Sequence, residues 1–360
     1  MKNVLGSSVT LTLFGESHQE CVGAVLDGLS AGIKVDEEFI KKMLAKRRPS
    51  SLIDTARQEQ DSYKIVSGVF NGYTTGSPIA IIIKNSNTHS NDYQKDIMRP
   101  SHADYVANVR YNGYQDYRGG GHFSGRITAP IVALGAIAIK ALEDKGIKIG
   151  THIYRCGKVQ DDEFSNFEKD IDSLNQKNVP LLNNKEEELE KEILAAKEDK
   201  DSIGGVLQTA VIGLPVGLGE PWFSSLEGVI ANAMFSLGGV KGIEFGEGFN
   251  FANGRGSDFN DGYRYENGEV RITSNHNGGI NGGLSNGNPL VFNLAVKPTP
   301  SIAKKQESID MAKKENVDLE IKGRHDPAII RRISVVVNSL LALVLADELE
   351  KRYGVDYFTK

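Results

Sequence analysis

The sequence predicts an α+β fold, and three observations carry that reading. Strand-like and helix-like segments mix along all 360 residues without the regular strand–helix alternation of a doubly wound parallel sheet. There is no internal repeat and no Pro/Ser-rich linker, so one large domain spanning 1–360 is expected. Glycine is 39 of 360 residues, about 11 % against a usual 7 %, while proline, with 11, is below average. That excess is therefore not a linker composition; it marks places where the backbone turns tightly or approaches a ligand.

The elements follow in order. Residues 22–29, 65–70 and 79–84 are short apolar runs ending in turn residues and read as strands. Asp36 stands before Phe39, Ile40, Met43 and Leu44, a helical face with a capping residue in front, and this helix ends before Pro49. Residues 128–145 are apolar nearly all round and stop at Gly146, which predicts a buried helix. Residues 206–216 and 290–297 read as strands, 226–237 as a helix stopped by Gly238, and 329–352 as a long helix with the apolar run 340–345. Residues 161–200 hold 13 acidic and 6 basic side chains and include a charged helix over 183–197. This segment reads as a peripheral excursion rather than a domain boundary.

Composition narrows the class. Apolar residues at 39 % and charged residues at 25 % describe a globular protein. No run of about 18 apolar residues occurs, so no membrane helix is expected. The start, MKNVLGSSVT, lacks the pattern of a signal peptide. Cys21 and Cys156 are too few for a disulfide framework or a four-cysteine metal site, so a reducing, cytoplasmic setting is expected. The acidic excursion more than accounts for the net charge of −5. The rest is slightly basic, with Arg47, Arg48, Arg57, Arg99, Arg110, Arg118 and Arg126 in one stretch. Arginine suits bidentate contacts with phosphate and carboxylate, which favours an anionic small ligand. Nucleic acid is disfavoured, because no dense basic run with interleaved aromatics is present.

The common nucleotide and zinc motifs, G-x-G-x-x-G, G-x-x-x-x-G-K-[ST] and H-E-x-x-H, are absent. Residues 283–287 fit G-x-S-x-G around Ser285, but a nucleophile elbow needs a strand before the serine and a helix after it. Here glycines precede and a strand-like run follows, so a glycine-rich turn is the better reading. Three other segments could carry proton chemistry: Gly15-Glu16-Ser17-His18, Arg99-Pro100-Ser101-His102-Ala103-Asp104-Tyr105, and Lys322-Gly323-Arg324-His325-Asp326-Pro327. A histidine titrates near cellular pH, which suits proton transfer, although each histidine alone would more often be structural. For Asp326 the competing reading is a cap on the long C-terminal helix.

In chain order, GESH, RRP, TTGSPIA, RPSHADY, DYRGGG, DSIGG, GLPVGLGEP, VKG, SNGNP, KPTPSIA and KGRHDP occupy nearly the whole sequence. From about residue 9 to 347 this pattern resembles the chorismate synthases. The resemblance implies antiparallel sheets sandwiching central helices, assembled as a homotetramer. It implies reduced FMN as cofactor, with NADPH at most an indirect reductant, and 5-enolpyruvylshikimate 3-phosphate (EPSP) as substrate. The reaction implied is loss of the 3-phosphate and a ring hydrogen to give chorismate, with no net redox change.

Residue by residue, His18 resembles the family histidine credited with protonating reduced flavin, and His102 the one that protonates the departing phosphate. Asp326 matches the aspartate proposed for the final proton removal. Arg47, Arg48, Arg99 and Arg126 match positions that bind substrate anions. Arg324, His122, Phe123, Ser124, Gly282, Lys297, Pro298, Thr299, Pro300 and Ser301 match positions that contact FMN. Three departures stand out. Gln19 replaces a family glycine, His122-Phe123-Ser124 replaces an arginine and two serines, and Leu52-Ile53 stands where a second arginine is expected, with Arg57 its nearest substitute. The alternative function is an FMN- or anion-binding protein of this fold without lyase activity; His18, His102 and Asp326 together argue against it.

Overall fold

The computed structural model describes residues 3–49, 61–86, 93–321 and 326–360. Two five-stranded sheets, antiparallel at every pairing, form its outer layers. The first runs in the order Val4–Leu5, Thr10–Gly15, Cys21–Asp27, Ile79–Lys84, Tyr63–Ser67. The second runs Val240–Phe245, Leu290–Val296, Gly205–Ile212, Lys148–Cys156, Val159–Gln160. Between them lie two helices, Thr128–Asp144 and Ile330–Tyr353, which pack on each other. The first helix also covers Cys21–Asp27 and Ile79–Lys84; the second covers Lys148–Cys156 and Gly205–Ile212. The sandwich implied by the family resemblance is therefore the observed architecture.

The close helix crossing has a local cause. A Cβ on Gly135 would lie 2.5 Å from the Cβ of Ser339, so only glycine lets the helices approach this far. Apolar side chains from both sheets and both helices join in one continuous core. Residues Gly125–Asp144 are long and apolar enough to cross a membrane, which corrects the expectation that no such run exists. Most of that segment is buried between the sheets, where its apolar surface faces protein.

Element boundaries shift for identifiable reasons. Asp36 caps Glu37–Arg47 as expected, accepting from Phe39 N at 2.9 Å. The strand expected over 206–216 ends at Ile212, because Gly213 takes a left-handed φ of +83°. The helix expected from 183 begins at Glu186, because the Asn183 N–H is committed to Asp161 at 3.1 Å. Lys148–Cys156 escaped the apolar-run criterion: it interleaves Gly150, Thr151 and His152 with its aliphatic residues, although it is buried over most of its length.

Candidate active site

A cavity of about 1230 Å³ opens among the ends of several helices. Its wall contains the last turn of Glu37–Arg47 and the first turns of both central helices. Helix N-termini carry partial positive charge, so the starts of the two central helices favour an anion. The volume exceeds the usual range of about 300–1,000 Å³ for a single-ligand site.

His18 lies in the turn between Thr10–Gly15 and Cys21–Asp27 and is largely buried. Ser17 Oγ is 3.2 Å from its Nδ1, and its ring stands edge-on to Tyr93 at 5.3 Å. The Gly119-Gly120-Gly121 turn packs against two of the three histidines that line the cavity, His18 and His102. All three glycines have positive φ; a Cβ on Gly119 would lie 2.1 Å from His18 Cε1, and one on Gly120 3.2 Å from His102 Cε1. The turn is thus a wedge between the two imidazoles that no side chain could replace.

His102 is held from its own segment. Its Nδ1 is 2.8 Å from Asp104 Oδ1, and Arg99 grips the same carboxylate through Nε at 2.7 Å and an NH2 group at 2.8 Å. Burial pushes the Asp104 carboxyl up, but the hydrogen bonds and charges of His102 and Arg99 outweigh it and hold it well below the usual range. Lys297 Nζ donates to Ser101 O at 2.8 Å, tying the 297–301 segment to this loop. Burial, together with the charge of neighbouring Lys241, lowers the Lys297 ammonium. An anion bound beside these two cations would relieve that cost.

The cavity floor is a charge network. Asp61 is buried and accepts both carboxylate hydrogen bonds from Arg47, at 2.9 and 3.1 Å, and another from Arg126. Arg126 Nε also donates to Asn85 Oδ1 at 2.9 Å. Burial lowers the Arg47 guanidinium to about 10 against the raising effect of Asp61, with Arg332 and Arg126 adding repulsion. Asp326 pairs with Arg332, whose Nε reaches Arg47 O at 2.9 Å. The capping reading of Asp326 does not hold, because Ile329 occupies the N-cap position of the C-terminal helix.

The residues expected from the sequence distribute as follows. His18, His102, Asp326, Arg47, Arg48, Arg99, Arg126, His122, Phe123, Ser124 and the whole of Lys297, Pro298, Thr299, Pro300 and Ser301 line the cavity. Gly282 does not; it is exposed at the two-residue turn joining Ile280–Asn281 to Leu284–Ser285. Gly282 and Gly283 both have positive φ there, the geometry of a tight hairpin turn, which accounts for the glycines. Arg324, with 322, 323 and 325, lies outside the described residues, as do Arg57 and the Leu52-Ile53 departure. Arg110 is exposed in the last turn of Asp104–Arg110, and Arg118 pairs with Asp116; neither lines the cavity. Ser285 is buried, donating to Pro215 O and accepting from Leu218 N at 2.9 Å, so its hydroxyl is a structural clamp.

Two departures resolve in place. Gln19 Nε2 donates to Asp116 at 3.1 Å, and Gln19 itself does not line the cavity. His122 Nδ1 is committed to Gly15 O at 3.1 Å. Sequence reasoning missed Asp61, Tyr93, Lys241 and Arg332 and left Asp104 without a role. Asp104 was detectable as the carboxylate two residues after His102. No local pattern marks Asp61, whose partners are 14 and 65 residues away.

Relatives place this geometry. A family model described as chorismate synthase matches residues 9–349. The chorismate synthase of Korarchaeum cryptofilum is 42 % identical over 352 residues, 96 % of this chain and 97 % of that protein. That of Methanocaldococcus jannaschii is 43 % identical over an alignment of 365 residues, 96 % of each. A crystal structure of chorismate synthase superposes with a TM-score of 0.77 at 31 % identity, covering 97 % of this chain and 94 % of that one. A matched family model over nearly the whole length, relatives above 40 % identity and a shared sandwich lead to one conclusion: the chain belongs to the chorismate synthase family.

Proposed function

We propose that this chain eliminates phosphate and a ring hydrogen from EPSP to give chorismate, in the cavity described above and with reduced FMN as cofactor. The observation that carries this reading is the convergence of His18, His102 and Asp326 on one cavity whose wall also holds Arg47, Arg48, Arg99, Arg126, Arg332, Lys241 and Lys297. EPSP is a phosphate with two carboxylates, and arginine meets such groups with paired, charge-assisted hydrogen bonds. The reading without lyase activity is not favoured, since all three proton-handling groups face the place where anions would bind.

The residues present suit a flavin mononucleotide. Lys297 and Lys241 offer a pair of crowded cations for its phosphate, and the 297–301 and 122–124 segments supply wall on either side. When bound, reduced FMN supplies an electron transiently and recovers it, which accounts for a reaction without net redox change. The remaining work belongs to the chain. Arg99 and Arg126 hold substrate anions, and His102 offers a proton to the phosphate oxygen as the carbon–oxygen bond breaks. His18, braced by Ser17, holds a proton on the flavin side. Asp326, braced by Arg332, is the carboxylate available for the last proton. This is carbon–oxygen lyase chemistry. Reduction of FMN from outside the chain, NADPH as its distant source, a homotetramer and a cytoplasmic setting complete the proposal. The two free cysteines suit a reducing compartment, and a tetramer would cover exposed side chains such as Trp222 and Phe223.

The test is anaerobic assay with EPSP and reduced FMN, following chorismate and phosphate together. Wild type yields both in equal amounts. Asp326→Asn, which preserves shape, keeps its melting temperature and loses most turnover. Absence of chorismate from wild type, or near-normal turnover in Asp326→Asn, contradicts the assignment.

A further inference from the structure

We infer that Asp104 is a positioning residue for His102: its carboxylate fixes which imidazole nitrogen faces the cavity and stabilises the protonated ring that releases its proton to the departing phosphate. This inference rests on the role given to His102 above.

The hydrogen bonds decide the tautomer. Nδ1 of His102 is 2.8 Å from Asp104 Oδ1 and 3.2 Å from an NH2 group of Arg99. Nδ1 cannot donate to the first and accept from the second. The shorter contact is to a carboxylate, which can only accept, so Nδ1–H donates to Asp104. Arg99 lies near the ring because it donates to that same oxygen, at 2.8 Å. Neutral His102 therefore carries its hydrogen on Nδ1 and presents a bare Nε2; only the protonated ring offers an Nε2–H.

The surroundings show why a carboxylate is needed there. The charged groups about the ring are Arg99 and Asp104 on its own segment, then Lys297, which reaches Ser101 O, with Lys241 behind it. His18 stands across the glycine wedge, which itself contributes only backbone. Among the described residues Asp104 is the carboxylate bonded to the ring, against three cations. Without it, the charged group left in contact with a protonated His102 would be Arg99, which disfavours the charged form. Both partners are mostly shielded, at 19 % and 14 % side-chain exposure, so the pair is less screened than a surface bridge.

The step balances without a further reagent beyond the flavin. The carbon–oxygen bond pair leaves with the phosphate, whose oxygen takes the proton from Nε2, and the pair freed when the ring hydrogen passes to Asp326 as a proton makes good the deficit at carbon as the new double bond. The ring becomes neutral with its hydrogen still on Nδ1, and Asp104 stays ionised throughout, orienting rather than receiving.

The experiment uses Asp104→Asn, Asp104→Glu, His102→Ala and the Asn–Ala double variant, each assayed anaerobically with EPSP and reduced FMN across pH. Asp104→Asn is expected to lower kcat by about 10–100-fold, less than the ~10²–10⁴ of losing a general acid. KM for EPSP should change less than about threefold. The upper limb of its pH profile should move lower, because the protonated ring has lost its counter-charge. Asp104→Glu should restore part of the turnover and return the limb toward wild type. In the His102→Ala background, Asp104→Asn should cost much less than in wild type, only what its remaining contact with Arg99 is worth. An unshifted limb, or a loss that adds in full to that of His102→Ala, makes Asp104 merely structural and overturns the inference. A fully active His102→Ala instead removes the role of His102 itself, so the two failures are distinguishable. A measurement that needs no folded Asp104 variant is ¹⁵N NMR of the wild type at high pH. The histidine signal that disappears in His102→Ala should report hydrogen on Nδ1; hydrogen on Nε2 contradicts the inference.

Discussion

Two of the three histidine–aspartate pairs among the described residues share nearly the same geometry and have opposite surroundings. His102 meets Asp104 at 2.8 Å on the cavity wall; His152 meets Asp161 at 2.9 Å beneath the second sheet. Both members of the second pair are fully buried, and the other nitrogen of His152 is 3.2 Å from Gln208 Oε1. Asp161 additionally accepts from the amides of Leu182 and Asn183, at 2.6 and 3.1 Å, so this pair staples the acidic excursion to the sheet. The same two side chains thus make a fastening where both nitrogens are bonded to protein and, under the proposed function, a proton donor where the histidine lines a cavity. What decides the role is the occupant of the second nitrogen.

That comparison can be broken from either side. The largest effect is expected on turnover: His102→Ala should lower it by about 10²–10⁴-fold while EPSP binding and the melting temperature change little. Steady-state assay beside thermal unfolding checks both halves. Next comes His152→Ala, which leaves Asp161 buried without its ring partner. Unfolding free energy should fall by about 3 kcal/mol, and turnover per folded molecule should stay near normal. Denaturant titration with an activity assay reads this, and a His152→Ala enzyme that unfolds normally but is inactive would reverse the two roles.

The smallest effect is one of pH. Burial pushes the Asp161 carboxyl up, but hydrogen bonds from His152, Leu182 N and Asn183 N, with the His152 charge, outweigh it and hold it below its ordinary value. A carboxylate lowered on folding stabilises the fold above its unfolded value near 3.9, and that contribution disappears as pH falls through the folded value. The melting temperature of wild type should therefore drop on acidification below about pH 4 more steeply than that of Asp161→Asn. Parallel curves would mean the staple does not depend on the carboxylate charge.

The contrast between the pairs also marks what a sequence can disclose. Helices announced themselves through side-chain periodicity and through local caps and stops such as Asp36 and Gly146, because those signals lie within a turn or two of one another. His18, His102 and Asp326, which line one cavity, stood out because each sits in a short segment whose neighbours are chemically unusual. The tertiary partners were not visible. Asp61 joins Arg47 to Arg126 only after three distant segments meet, and His152 lies in a strand whose polar residues hide its burial. Gly282 shows the opposite hazard: a glycine matched to a ligand contact stands, in this fold, where a tight turn already accounts for it.

The central claim is that one cavity holds both the flavin and the anionic substrate among converging cations. Titration of oxidised FMN by its fluorescence, with and without EPSP, tests it most directly. If the two ligands share the cavity, each completes contacts the other needs, and EPSP should tighten FMN binding by about 5–150-fold. Identical FMN affinity in both titrations would contradict the claim.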